Sequence, residues 1–82
     1  MRVSVRVSGG LAEELGAPRL SIALPDDATV ADLLAHLRAS YPQAERLSLA
    51  LPIVAGQYAS TERPLSADQE VALLLPVAGG SF

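Results

Sequence analysis

From Arg2 to Ser8 the chain alternates strictly, with Val3, Val5 and Val7 on one side and Arg2, Ser4, Arg6 and Ser8 on the other. That period of two is the signature of a strand with one buried face. Gly9 and Gly10 interrupt it, and Leu11 to Leu15 leaves room for a helical turn or a little more, with Gly16 as its C-cap. Alternation returns from Arg19 to Leu24, with Leu20, Ile22 and Leu24 inward. Two strands so close in sequence predict an antiparallel hairpin with an elaborated connection.

Pro25, Asp26 and Asp27 break the second strand, and Thr29 stands three residues before Asp32, a helix N-cap followed by an acid in the first turn. Val30, Leu33, Leu34 and Leu37 then recur at the spacing that lines one helical face. The helix is expected to end near Ser40, because the residue before Pro42 resists the helical region. Gln43 to Ser48 reads as polar and irregular, and Leu49 to Ala55, with Pro52 in its middle, as a short edge strand. Gly56 turns the chain into a further short strand at Gln57 to Ala59. After a polar stretch and a turn at Pro64 to Asp68, Glu70 to Leu75 is almost wholly apolar, as a central strand should be. One amphipathic helix across a mixed sheet is an α+β architecture, and periodicity leaves several topologies open. No internal repeat, low-complexity block or linker appears, so the expectation is one domain over residues 1–75 followed by a tail over 76–82.

Composition adds a functional hint. In 82 residues, half of them hydrophobic, there is more apolar side chain than so small a core usually hides, which predicts that some of it forms a contact face. Leu74, sharing a face with Ala72 on the last strand, is the expected docking patch. The formal charge of −3 supplies no overall positive field for phosphates, so neither nucleic acid nor an anionic membrane is an expected partner. All six basic residues are arginines; without lysine, the chain offers no side-chain amine as an acceptor. Cysteine is absent, which removes disulfides, thiolate metal sites and cysteine catalysis. The sequence opens on a strand pattern instead of a signal peptide and contains no span-length apolar run, so a cytoplasmic location is expected.

Other polar residues offer little chemistry. His36 and Asp32 lie four apart on the helix but lack further ligands. The neighbouring pairs Glu13 with Glu14 and Asp26 with Asp27 cannot converge on one site from adjacent positions. Ser8-Gly9-Gly10 lacks the lysine and spacing of a phosphate loop. No catalytic residue, metal site or bound cofactor is expected.

The last residues are the most specific. Pro76, Val77, Ala78, Gly79, Gly80, Ser81 and Phe82 follow the last strand. Proline cannot continue the sheet, and glycines have no Cβ to obstruct a narrow channel, so such a tail suits threading into an enzyme. Pro64-Leu65, Asp68, Glu70-Val71-Ala72 and the closing Pro76-Val77-Ala78-Gly79-Gly80, taken in order, resemble the ubiquitin-like sulfur carriers, in particular the small subunit of molybdopterin synthase. The resemblance spans nearly the whole chain and implies a β-grasp fold. It also implies that the carboxylate of Gly80 is adenylated by an E1-like enzyme using ATP. A sulfur donor then displaces AMP, leaving a thiocarboxylate that passes its sulfur to an acceptor enzyme such as a large synthase subunit. Pro76, Val77, Ala78 and Gly79 would be the segment threaded into the partner.

Three features depart from the family pattern: Gly9-Gly10 after the first strand, Ala67 and Gln69 in the closing region, and Ser81-Phe82 after the second glycine. The last blocks the Gly80 carboxylate, and the resemblance extends to relatives whose two extra residues a zinc-dependent peptidase removes. Two other classes remain: a ubiquitin-like interaction module that is never activated, and a modifier joined to lysines of other proteins. Carrier and modifier need a free Gly80 carboxylate; the interaction module does not.

Overall fold

The computed structural model describes residues 1–76. Along the chain run β1 (Arg2–Arg6), α1 (Gly9–Leu15), β2 (Arg19–Ala23), α2 (Val30–Ser40), a 3-10 helix (Glu45–Leu49), β3 (Leu51–Val54), β4 (Gln57–Tyr58) and β5 (Glu70–Leu74). The strands form one mixed sheet in the order β2-β1-β5-β3-β4. β1 and β5 run parallel in the middle, while β2 on one side and β3 on the other are antiparallel to their neighbours. This is the β-grasp arrangement.

The alternation of β1 becomes burial directly. Val3, Val5 and Val7 are inaccessible, and they join Ile22, Val54, Val71 and Leu73 from the sheet with Val30, Leu33, Leu34 and Leu37 from α2 in one core. α2 starts as its sequence dictates: the Thr29 side chain accepts from the Asp32 backbone N–H and Asp32 accepts from that of Thr29, a reciprocal capping box. The cap is held from outside the helix too, since the backbone N–H groups of Val30 and Ala31 donate to the carbonyls of Arg63 and Thr61. Thr29→Ala is therefore expected to cost about 1 kcal/mol and to lower the melting temperature by roughly 5 °C, measurable by thermal unfolding.

Several expectations need correction. α1 begins at Gly9, not Leu11. A Cβ on Gly10 would lie 3.0 Å from the guanidinium of Arg46, so the missing side chain makes room for that arginine. Arg46 in turn pairs with Glu14 at 2.6 Å, while its backbone N–H donates to the same carboxylate. Gly10 thus leaves room for the contact between α1 and the 3-10 helix, whereas a Cβ on Gly9 would meet no neighbour. The segment expected to be irregular, Gln43 to Ser48, contains most of that 3-10 helix and buries Ala44 and Leu47; two apolar residues three apart fit one helical turn but are too few to establish a period.

β3 is not an edge strand either, for β4 lies outside it. Pro52 explains both the signal and the mistake. Its carbonyl accepts from the Ala59 N–H on the β4 side, but proline returns no hydrogen, and the ladder there holds only Ile53–Tyr58 and Val54–Gln57. Ala55 and Gly56, at φ 53 and 78, supply the two left-handed residues that so tight a hairpin turn requires. β1 and β5 each stop short of the ranges expected, at Arg6 and Leu74.

Candidate functional site

Strand alternation that buries one set of side chains lifts the other set onto the opposite face. Register defines that outer face: Arg2, Ser4 and Arg6 of β1 lie level with Ala23, Ser21 and Arg19 of β2, and Ser4 and Arg6 with Glu70 and Ala72 of β5. Across β5, Ala72 faces Ile53 and Leu74 faces Leu51, and beyond them Tyr58 faces Ile53. Half of this face is therefore apolar, and half carries arginines. Among the described residues no helix is placed over it by a shared core; α2 contributes to the core on the other side.

The structure places Leu74 and Ala72 together on this outer face. Leu74 is 46% exposed and is one of three large hydrophobic residues so exposed among the described residues. Ala72 is 7% exposed, being small and lying between Arg6 and Ile53. Its short side chain leaves a hollow on either side, one bounded by Ile53, Glu70 and Arg6, the other by Ser8, Leu74 and Arg6. Leu51, Ile53 and the strongly exposed Tyr58 extend the apolar surface. Sequence reading missed Leu51 and Ile53 because β3 looked like an edge strand, although their alternation about Pro52 carried the signal, and Tyr58 because only its pairing with Ile53 brings it to this face.

The charged half is built around Glu70. Its carboxylate lies 3.3 Å from the Arg19 guanidinium and 3.9 Å from that of Arg6, while Arg2 donates to the Ser21 hydroxyl. All are partly or well exposed, so these pairs organise side chains more than they stabilise the fold.

From Leu74 the chain passes to Leu75, which packs partly against the core, and to exposed Pro76, the first residue of the expected threading segment. Val77, Ala78, Gly79, Gly80, Ser81 and Phe82 lie outside the described residues. Elsewhere, Asp32 is engaged in the α2 cap, His36 is exposed, and Glu14 is engaged with Arg46. Among the described residues no three His, Cys, Asp or Glu side chains are grouped to hold a metal. No helix among them is long and apolar enough to cross a membrane. The site as described is an exposed apolar strip beside a cluster of arginines, at the end of which the chain passes to Pro76.

The family model described as the ThiS family matches residues 5–80. The chain belongs to the ThiS family. A ThiS-type small subunit is a carrier protein and not itself a catalyst. No curated protein sequence matches the chain. Among solved structures it is similar to SAMP1, a small archaeal modifier protein, from Haloferax volcanii, at 26% identity and a TM-score of 0.83 over 98% of this chain and 100% of that one. It is also similar to a chain of the complex of subunits 1 and 2 of the molybdopterin-converting factor from Helicobacter pylori, at 25% identity and TM-score 0.71 over 98% and 100%. A putative molybdopterin-converting factor subunit 1 from Pyrococcus furiosus shares the fold, at 21% identity and TM-score 0.84 over 94% and 99%. These likenesses bear out the β-grasp, ubiquitin-like architecture, and the family match bears out the resemblance to the sulfur carriers. The chain has the ubiquitin-like fold of a ThiS-type carrier or modifier.

Proposed function

We propose that this ThiS-family chain is a sulfur carrier whose working group is the carboxylate of Gly80. The observation that carries the reading is the extent of the family match, which runs to Gly80 and leaves Ser81 and Phe82 outside it. A peptidase, of the zinc-dependent class, hydrolyses the Gly80–Ser81 bond, releasing a dipeptide and freeing the carboxylate. An E1-like adenylating enzyme then directs that carboxylate onto the α-phosphorus of ATP, pyrophosphate leaves, and an acyl adenylate results. A sulfur nucleophile at the hydrosulfide level adds to the carbonyl and expels AMP, so that the chain ends in a thiocarboxylate. The thiocarboxylate sulfur adds to an unsaturated, electrophilic carbon of a substrate held by an acceptor enzyme, forming an acyl thioester, and water then cleaves the acyl C–S bond, leaving the sulfur on the substrate and returning Gly80 to a carboxylate. Adenylation is needed because a free carboxylate is a poor electrophile. ATP and the sulfur donor belong to the partners; the chain supplies the handle and the docking face, in the cytoplasm.

The absence of cysteine makes the test clean. A chain ending at Gly80, supplied with the adenylating enzyme, ATP and a sulfide source, is expected to gain one sulfur that alkylating reagents capture, located at its C-terminus by mass spectrometry. A chain that forms adenylate but never becomes alkylatable would contradict the sulfur step. The acceptor is proposed to be a synthase large subunit of the molybdopterin type or a pathway equivalent, since a related structure is a complex of subunits 1 and 2 of the molybdopterin-converting factor.

Leu74 and Ala72 are proposed as the docking patch. Leu74→Glu is expected to weaken adenylating-enzyme binding at least tenfold while leaving the melting temperature within a few degrees, because Leu74 is half-exposed and outside the core. A large fall in melting temperature with unchanged affinity would show that Leu74 is simply packed.

The likeness to SAMP1 favours a second reading, a modifier whose Gly80 carboxylate is joined to lysines on other proteins. In that role the chain adds singly. It contains no lysine, and the Met1 α-amine is held by the Leu24 carbonyl at 2.7 Å and the Asp26 carboxylate at 3.0 Å. Target proteins should carry single copies at each site, seen as one mass increment per modified lysine; polymers of the chain would refute this. A pure interaction module, the third reading, would be indifferent to whether Ser81 and Phe82 are present.

A further inference from the structure

The outer sheet face differs in charge from the rest of the molecule. Arg2, Arg6 and Arg19, three of the six arginines, stand on it with Glu70 as the one carboxylate among its strand residues, although the chain as a whole is formally −3. The positive excess is concentrated on two adjacent strands, beside the apolar surface of Leu51, Ile53, Tyr58 and Leu74. The alternation that buries the valines of β1 also places its two arginines outward.

Glu70 does more than cancel one charge. Lying between Arg6 and Arg19, at 3.9 and 3.3 Å, it holds two long side chains toward the apolar strip, so less side-chain entropy is lost when a partner engages them. Ala72, next to Glu70 on this face, is too small to screen Arg6, which borders both hollows beside it.

We infer that this face docks a protein surface on which an apolar projection, seated near Ala72 and Leu74, adjoins a cluster of carboxylates that meets Arg2, Arg6 and Arg19, and that the adenylating enzyme carries that surface. This rests on the activation reading and deepens it. The adenylating enzyme is the occupant because both carrier and modifier must have Gly80 activated, whereas their acceptors differ. Gly80 is six residues beyond Leu74, so the enzyme that holds its carboxylate lies within about 20 Å of this strand end, even with those residues fully extended. Nucleic acid is a poorer occupant, because a long polyanion would also meet the field of a chain whose overall charge is negative. Charges arranged this way raise the association rate and make it sensitive to salt, while apolar contacts govern dissociation.

The test is stopped-flow or surface-plasmon binding of the Gly80-ending chain to the adenylating enzyme at about 50 and 500 mM salt, on either side of the ionic strength at which the screening length falls to about 8 Å. The double variant R6Q/R19Q is expected to slow association about tenfold at low salt and to bind like the parent chain at high salt; R6E/R19E should slow it further. Arg38→Gln, an exposed change on α2, should leave the rate unchanged. Melting temperatures check that each variant is folded. An association rate insensitive to salt and to R6Q/R19Q, with binding intact, overturns the electrostatic inference and leaves the activation reading standing. Failure of the unsubstituted chain to bind overturns both.

Discussion

A chain ending at Phe82 should receive no sulfur at all, and a chain ending at Gly80 should be a full substrate. The expectation follows from carbonyl chemistry. In the longer chain the Gly80 carbonyl belongs to an amide, which offers no oxyanion to attack the α-phosphorus of ATP and thus forms no acyl adenylate. The carboxylate of Phe82 is free, but it lies two residues further along and carries a benzyl side chain where a narrow channel would demand glycine. With purified adenylating enzyme, ATP–pyrophosphate exchange should therefore be absent with the long chain and present with the short one, a difference of at least a hundredfold. Adding the peptidase to the long chain should restore exchange, and making the Gly80–Ser81 bond resistant to it should prevent the rescue. Equal exchange from both forms would refute Gly80 as the activated residue.

The second large effect is on folding. Leu33 is fully inaccessible in the face that α2 buries, within the core that also contains Val5 and Val71. Leu33→Ala removes three carbons from a site whose walls are a sheet and a helix fixed at its N-terminus, so relaxation into the void is limited. The cost should be on the order of 3 kcal/mol. In a domain of this size that is a sizeable share of the total, and the melting temperature should fall by roughly 15 °C. His36→Ala, on an exposed part of the same helix, should change it by no more than a few degrees. If Leu33→Ala were equally mild, the helix could not be packed as described.

These two effects fall on parts of the chain that the sequence made legible in different ways. The core was readable from period alone: Val3, Val5 and Val7, then Val30, Leu33, Leu34 and Leu37, are buried as their spacing requires. The α2 cap was readable too, because Thr29 and Asp32 are both the right residues and the right distance apart. What failed was any feature set by contacts far along the chain. Pro52 signals a place where a hydrogen bond is missing, and in an isolated strand that suggests an edge; only the return of β4 shows that the missing bond faces a strand two residues long. Gly10 is conspicuous in sequence, but its reason, room for Arg46, lies 36 positions away.

The candidate site divides along the same line. Leu74 and Ala72 could be placed on one face by alternation within a single strand. The neighbours that make them a surface come from β3, β4, β1 and β2, and a periodic pattern in one strand says nothing about which other strand lies beside it. Arg6 and Arg19 were visible as outward residues of separate strands; their convergence on Glu70 required the parallel β1–β5 pairing. The tail differs again, being legible as a motif because a Gly-Gly following Pro76 is a local pattern.

The central claim, that Gly80 carries sulfur, is tested most directly by the intact mass of the protein isolated from its native cell under conditions that preserve thiocarboxylates. The account predicts a species ending at Gly80, part of it heavier by the exchange of one oxygen for sulfur, and that increment lost on mild hydrolysis. A population ending only at Phe82, or one ending at Gly80 that never carries sulfur under conditions where the pathway is active, would contradict it.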